Sequence, residues 1–234
     1  LLATGISVLD IGLMICLVLI LPAWQLWKSL RKLPVEITAR STRYWQAILR
    51  IALLLLLLAV DWWSSARPLS LLGFDMPLSV CGEIGLGIAA VLIIGLLIGD
   101  VVFSRRQSDE KRATLRARLE ENDFLPRSAA EFWGFSVLAL MIGAGWEILY
   151  RGFLLFSLTP LVGTIGAVCI AACAYGLAHG FQNRGQFIGS IISAFLFTIA
   201  YALTLSLWWL MLLHTFMALI GGWTSYRLWR RQPG

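Results

Sequence analysis

Charge is scarce in this chain. Charged residues occupy 14% of its 234 positions and hydrophobic residues 59%, against roughly 25% and 45–50% in soluble domains, so water is not its main solvent. Histidine is scarcer still, with two in the whole chain. The four cysteines, Cys16, Cys81, Cys169 and Cys173, form no C-x-x-C pair, which removes the usual zinc and redox frameworks. All four lie in apolar runs and are read as buried free thiols. There is no H-E-x-x-H of a zinc protease, and Gly99-Asp100 lacks the G-x-G-D surroundings of aspartyl membrane proteases. The chain starts at Leu1 rather than Met, as a trimmed start would.

What is present is apolar sequence gathered into runs near or above the roughly 18 to 20 residues that a helix needs to cross a bilayer core. The expectation is an all-α, polytopic transmembrane helical bundle of about seven spans. The spans are read at about Ile6 to Trp27, Trp45 to Trp63, Val80 to Phe103, Ala129 to Leu158, Gly163 to Phe181, Phe187 to Leu203 and Leu207 to Tyr226. Pro160 is expected to stop the fourth. The net charge of +6 comes from Lys and Arg in short stretches between the runs, such as Lys28, Arg31, Lys32, Arg40 and Arg43, and the tail Arg227, Arg230 and Arg231. This is a topology signal, not a nucleic-acid stripe. Seven crossings put every basic segment and the C-terminus on the cytoplasmic side.

Two features of the first half carry expectations of their own. Gly95-x-x-x-Gly99 has the spacing that lets a second helix approach closely, and the polar stretch Ser104 to Arg127, rich in Arg and Glu, reads as an amphipathic helix along the headgroups. Residues 1–128 are taken as N-terminal membrane helices with this cytoplasmic linker, and 129–234 as a functional core, all within one continuous membrane domain.

An ionisable group inside hydrocarbon costs several kcal/mol unless it is partnered, so each one is a functional candidate. Glu147 and Arg151 are four apart and share a helix face. Tyr175 and His179 are also four apart, among small residues, and His214 lies in the last span. A carboxylate and two imidazoles from three helices can hydrolyse an amide, one His helping to remove a proton from water and the other stabilising the oxyanion. The same Glu147, His179 and His214 set could hold a divalent metal such as zinc. Asp61 and Asp100 are read as span ends touching water, and Glu83 as a solvated end.

Trp146-Glu147-Ile148-Leu149-Tyr150-Arg151-Gly152 resembles the motif E-E-x-x-[FY]-R-G of the CPBP (CAAX protease and bacteriocin-processing, Abi) intramembrane peptidases. Tyr175 to His179 resembles that family's F-x-x-x-H, and His214 to Ala218 its H-x-x-x-N. The resemblance implies a glutamic-type membrane endopeptidase with no required cofactor, acting on a membrane-associated peptide or protein, here in a bacterial inner membrane. It assigns Glu147 as base or carboxylate partner, His179 as water-orienting group, His214 as oxyanion or proton-donating group and Arg151 as the residue that fixes Glu147, in a cavity between spans four, five and seven. Two positions depart from the pattern: Trp146 stands where the first Glu is expected and Ala218 where the Asn is. They support an alternative, a catalytically impaired CPBP-fold scaffold or immunity protein that binds a partner. A small-solute transporter is a third reading, without a visible inverted repeat.

Depth makes the trio hard to assemble. If span four surfaces near Leu158, Glu147 lies about 16 Å below, His214 roughly 10 Å into its own span and His179 about 24 Å into its own, at 1.5 Å per residue. Convergence requires span five to begin above the surface, or span four to bend.

Overall fold

The computed structural model describes residues 6–31, 39–106, 108–120 and 124–230; Leu1, Lys32, Glu121 and Arg231 lie outside them. These residues are helical, with no strand among them. The order is α1 (Val8–Ile15), a π-helical turn (Cys16–Ile20), α2 (Leu21–Leu30), α3 (Arg40–Ser64), a short 3-10 turn (Leu69–Leu72), α4 (Val80–Arg106) and α5 (Asp109–Glu120). Then follow α6 (Ala129–Glu147), a second π-helical turn (Ile148–Phe153), α7 (Leu154–Ala178), α8 (Arg184–Thr204) and α9 (Trp208–Arg230). Five helical stretches are long and apolar enough to cross a membrane, one of them the 50 residues Ala129–Ala178. The chain is therefore an integral, multi-pass helical membrane protein. Caps set the ends of the helices that matter here: Ser128 accepts from the Glu131 amide at the start of α6, and Asn183 from the Gln186 amide at the start of α8.

The 50-residue stretch does not stop at Pro160. It breaks three residues later, at Gly163, whose φ of 72° and ψ of 167° are open to glycine and strained for other residues. The chain reverses there, because Tyr150 and Arg151 meet Tyr175 on the other arm. Moving the turn from Leu158 to Gly163 answers the depth problem. Glu147 and His179 are each 16 residues from Gly163, about 24 Å along their helices. The last helix, in turn, starts deep. The Leu207 amide donates to the Gly73 carbonyl at 2.9 Å, and the Leu72 carbonyl and the Leu207 side chain both crowd Gly152, 11 residues below Gly163. Seven residues further on, His214 reaches the level of Glu147.

α6 packs against α9 on one side and α3 on the other, and α7 packs on α8. The α6–α9 crossing is closest at Gly143, where a Cβ would lie 2.5 Å from the Thr215 amide nitrogen and 2.7 Å from its Cα. Any side chain at 143 would push α9, and His214 with it, away from α6. Gly95 and Gly99 behave otherwise. A Cβ at either meets nothing within 4 Å, so the expected close partner is no helix among the described residues. α4 is the most peripheral span, with 11% of its apolar window buried. The cysteines are free, but Cys81, Cys169 and Cys173 are exposed on outward faces and Cys16 is half-buried, which corrects the reading of buried thiols. Within Ser104 to Arg127, α4 runs on to Arg106 and α5 occupies Asp109–Glu120, with Arg116 stacked on Trp229 of α9.

Asp61 is not a wetted span end. It is 1% exposed and shares Arg67 with the fully buried Asp10: Arg67 bonds Asp10 Oδ2 at 2.7 Å and Asp61 Oδ2 at 3.2 Å, and Ser7 donates to Asp61 at 2.5 Å. The Asp10 hydrogen bond holds the Arg67 guanidinium above its ordinary pKa. This cluster pins α1 to the end of α3. Asp100 is likewise partnered, by Arg227 at 2.8 Å and Thr224 at 2.9 Å. Glu83 is exposed, as expected.

Two substitutions test this packing in equilibrium unfolding of the detergent-solubilised chain. Arg67→Met leaves two buried carboxylates without their counter-ion and is expected to cost about 3–5 kcal/mol; a loss below about 1 kcal/mol would contradict the cluster. Gly143→Leu is expected to cost about 1–3 kcal/mol through overpacking, whereas Gly99→Leu should stay within about 0.5 kcal/mol of the parent.

Candidate active site

Glu147 is the last residue of α6, and the π-helical turn begins immediately after it. Within that turn the Leu154 amide bonds to the Leu149 carbonyl five residues back. Such wide turns inside α-helices recur at functional sites. Arg151 lies in the turn, its Nη1 3.3 Å from Glu147 Oε1. The same carboxylate oxygen accepts a 2.7 Å hydrogen bond from His214 Nδ1 on α9. Glu147 is 0% exposed and Arg151 1%, while the His214 side chain keeps 18% of its surface open. Glu147 Oε2 is buried and has no hydrogen-bond partner among the described residues.

His179 reaches this group through an aromatic side chain. It ends α7, where its Nδ1 donates to the Tyr175 carbonyl at 2.9 Å. Its ring stands edge-on to the Tyr175 ring at 4.7 Å. Tyr175 is buried, with the Arg151 guanidinium carbon 4.0 Å from its centroid and the His214 ring 6.4 Å away. A cation on a desolvated aromatic face is worth about 2 kcal/mol or more, so Arg151 is held from two sides, by Glu147 and by Tyr175. Phe197 of α8 completes the wall, 5.8 Å from both the His214 ring and the Arg151 guanidinium.

Glu147, Arg151 and His214 are thus in direct contact, His179 adjoins them across Tyr175, and the direct imidazole partner of Glu147 is His214. Among the described residues no group of three His, Cys, Asp or Glu side chains is placed to hold a metal ion, so Glu147, His179 and His214 do not form a three-ligand centre. Trp146 packs edge-on against Tyr150 at 5.7 Å. Ala218 packs against the second apolar cluster, which contains Tyr44, Phe135, Leu138 and Ala139. Both sites of departure from the motif are filled by apolar contacts. A cavity of about 580 Å³ lies on the α3 side, lined by residues such as Leu55, Trp62, Arg67, Leu72 and Ile148 and by none of the four candidate site residues.

Two further side chains support the site, Tyr150 at the aromatic position of the first motif and Phe197 outside any motif. Tyr150 donates its hydroxyl hydrogen to the carbonyl of Leu17 at 3.0 Å, joining the π turn of the site to the π turn of the N-terminal helix. Phe197 sits on a helix with no recognisable motif. For Tyr150 the signals are the aromatic position of the motif and its polar tip in an apolar run, since a buried tyrosine hydroxyl needs a partner. Tyr150→Phe is expected to cost about 0.5–1.5 kcal/mol in micellar unfolding, with the Tyr175 packing retained; an unchanged midpoint would count against the link.

Neither the curated proteins nor the solved structures include a match to this chain. A family model described as "Rce1-like: Type II CAAX prenyl endopeptidase Rce1-like" matches residues 128–220. That segment begins at the N-cap of α6 and takes in Glu147, Arg151, His179 and His214. Residues 128–220, with their glutamate–arginine pair and two histidines, thus match the Rce1-like domain of the CPBP/CAAX protease family.

Proposed function

We propose that the protein is an intramembrane endopeptidase that hydrolyses a peptide bond in a membrane-associated peptide or protein. One observation carries this reading: a carboxylate with no exposure is held by an arginine and an imidazole, and a second imidazole lies beside them at the same depth. Lipid packing requires none of these groups, and each is costly to bury unpartnered. The Rce1-like match over residues 128–220 supports the same class.

In this reading the chain crosses a bacterial inner membrane seven times, with its C-terminus in the cytoplasm. The two arms of Ala129–Ala178 are separate crossings, and α9 is the last. Residues 129–234 form the peptidase core, residues 1–128 pack around it, and the reaction takes place between α6, α7 and α9. Glu147, Arg151, His179 and His214 are the active-site residues. The carboxylate and the imidazoles activate water and balance the charge that forms on the carbonyl oxygen, with no metal or cofactor needed for the step.

A second reading is favoured by a specific observation. Trp146 and Ala218 place apolar contacts where the motif carries a carboxylate and an amide. A scaffold that keeps the peptidase fold and binds a partner helix or peptide would tolerate both.

Reconstitution of the full chain with a library of membrane-anchored peptides separates the two. Cleavage by the wild type that falls by roughly 10²-fold or more in both Glu147→Gln and His179→Ala supports the peptidase. Identical product profiles for all three proteins would leave the scaffold.

A further inference from the structure

We propose that His214 is the general base of this site, oriented by Glu147, so that an imidazole does the work the family motif gives to the missing first glutamate. The inference rests on the peptidase reading and deepens it. Three observations lead there.

The first is which group can meet water. Glu147 is fully buried, and its Oε1 is already engaged by Arg151 and His214. The His214 side chain, by contrast, is 18% exposed. The second is hydrogen-bond logic. A carboxylate beside a guanidinium is ionised and can only accept, so the 2.7 Å contact makes His214 Nδ1 the donor. A neutral imidazole has one N–H, so His214 Nε2 then carries the free lone pair. The third is position 146. Its indole packs on Tyr150, so Glu147 has no second carboxylate of the motif beside it to compete for the proton.

A carboxylate that fixes the tautomer of a histidine and steadies its imidazolium is the working pair of serine hydrolases, with water here taking the place of the serine hydroxyl. His214 Nε2 takes a proton from water as the water oxygen forms a bond to the scissile carbonyl carbon and the carbonyl π pair moves onto its oxygen. The carbonyl then re-forms and the C–N bond breaks. The proton on Nε2 passes to the leaving nitrogen, giving one carboxylic acid and one amine. Glu147 stays ionised throughout. His179 has the same hydrogen-bond pattern, since its Nδ1 donates to the Tyr175 carbonyl. Its Nε2 accepts from the attacking water and turns it toward the substrate.

The test has two arms on the full chain. In micelles, ¹⁵N-histidine spectra of the wild type and His179→Ala isolate the His214 signal, because the chain has two histidines. The neutral form is expected to carry its hydrogen on Nδ1; an Nε2–H tautomer overturns the proposal whether or not any peptide is cleaved. In the cleavage assay, His214→Ala is expected to lose roughly 10²-fold or more. Imidazole, whose one N–H can donate to Glu147 while its other nitrogen accepts a proton, should restore at least about a tenth of the lost rate, within the span of general-base effects. Rescue by ring-substituted imidazoles that falls rather than rises with their basicity assigns His214 a proton-donating role and overturns the base while leaving the peptidase intact. A wild type that cleaves nothing, with the Nδ1–H tautomer present, overturns the peptidase reading itself.

Discussion

A carboxylate with no access to solvent governs this molecule. Glu147 is surrounded by protein, and an isolated ion there would be lost to protonation or unfolding. Its charge is answered twice, by Arg151 four residues along the same chain and by His214 from the last helix. The first partner is local and follows from helical spacing. The second requires α9 to lie almost in backbone contact with α6, which the absence of a side chain at Gly143 allows. It also requires α9 to start deep, and the seat for its first residues is the loop at Leu72–Gly73. The reversal at Gly163, the crossing at Gly143 and the submerged start of α9 are thus three parts of one requirement.

Around that ion cluster the protein replaces water with aromatic faces. Arg151 rests on Tyr175, and Tyr175 in turn touches Tyr150 and His179. Delocalised ring electrons compensate part of the guanidinium's lost hydration without adding another ion. The N-terminal helix closes this wall from outside the Rce1-like segment. Leu17 receives the Tyr150 hydroxyl, and Ser29 receives the Phe181 amide at 2.8 Å just past His179. Asp10 and Asp61 anchor the other end of the strap through Arg67. Residues 128–220 hold the chemical groups, but their surroundings are completed by the first 70 residues.

The departures at Trp146 and Ala218 acquire a physical meaning in this setting. Trp146 packs on Tyr150, and Ala218 packs on the cluster around Tyr44 and Phe135. The polar groups that remain are linked to one another through Glu147, Arg151 and Tyr175. A charged set of this kind has a different balance from a two-glutamate site, with one carboxylate fewer beside the same arginine. The imidazole in contact with Glu147 is therefore the group with both an ionised neighbour and an open edge.

Much of this was legible in the sequence, because composition and hydropathy report directly on solvent. The membrane helices, the start of α6 at Ala129 and the Glu147–Arg151 pair all follow from apolar run lengths and from the cost of charge in lipid. The turn did not fall at Pro160, which the helix tolerates, but at Gly163, whose backbone alone takes the required dihedral without strain. Gly95 and Gly99 face outward while Gly143 receives a helix, although all three look alike in one dimension. Asp61 read as a wetted end and is instead clasped by an arginine six residues later. The reason is common to these cases: lipid and protein interior are equally apolar, so the sequence of a membrane helix declares its solvent but not its neighbour. Which face meets lipid and which meets another helix, and hence that Glu147 meets His214, is decided when the helices pack.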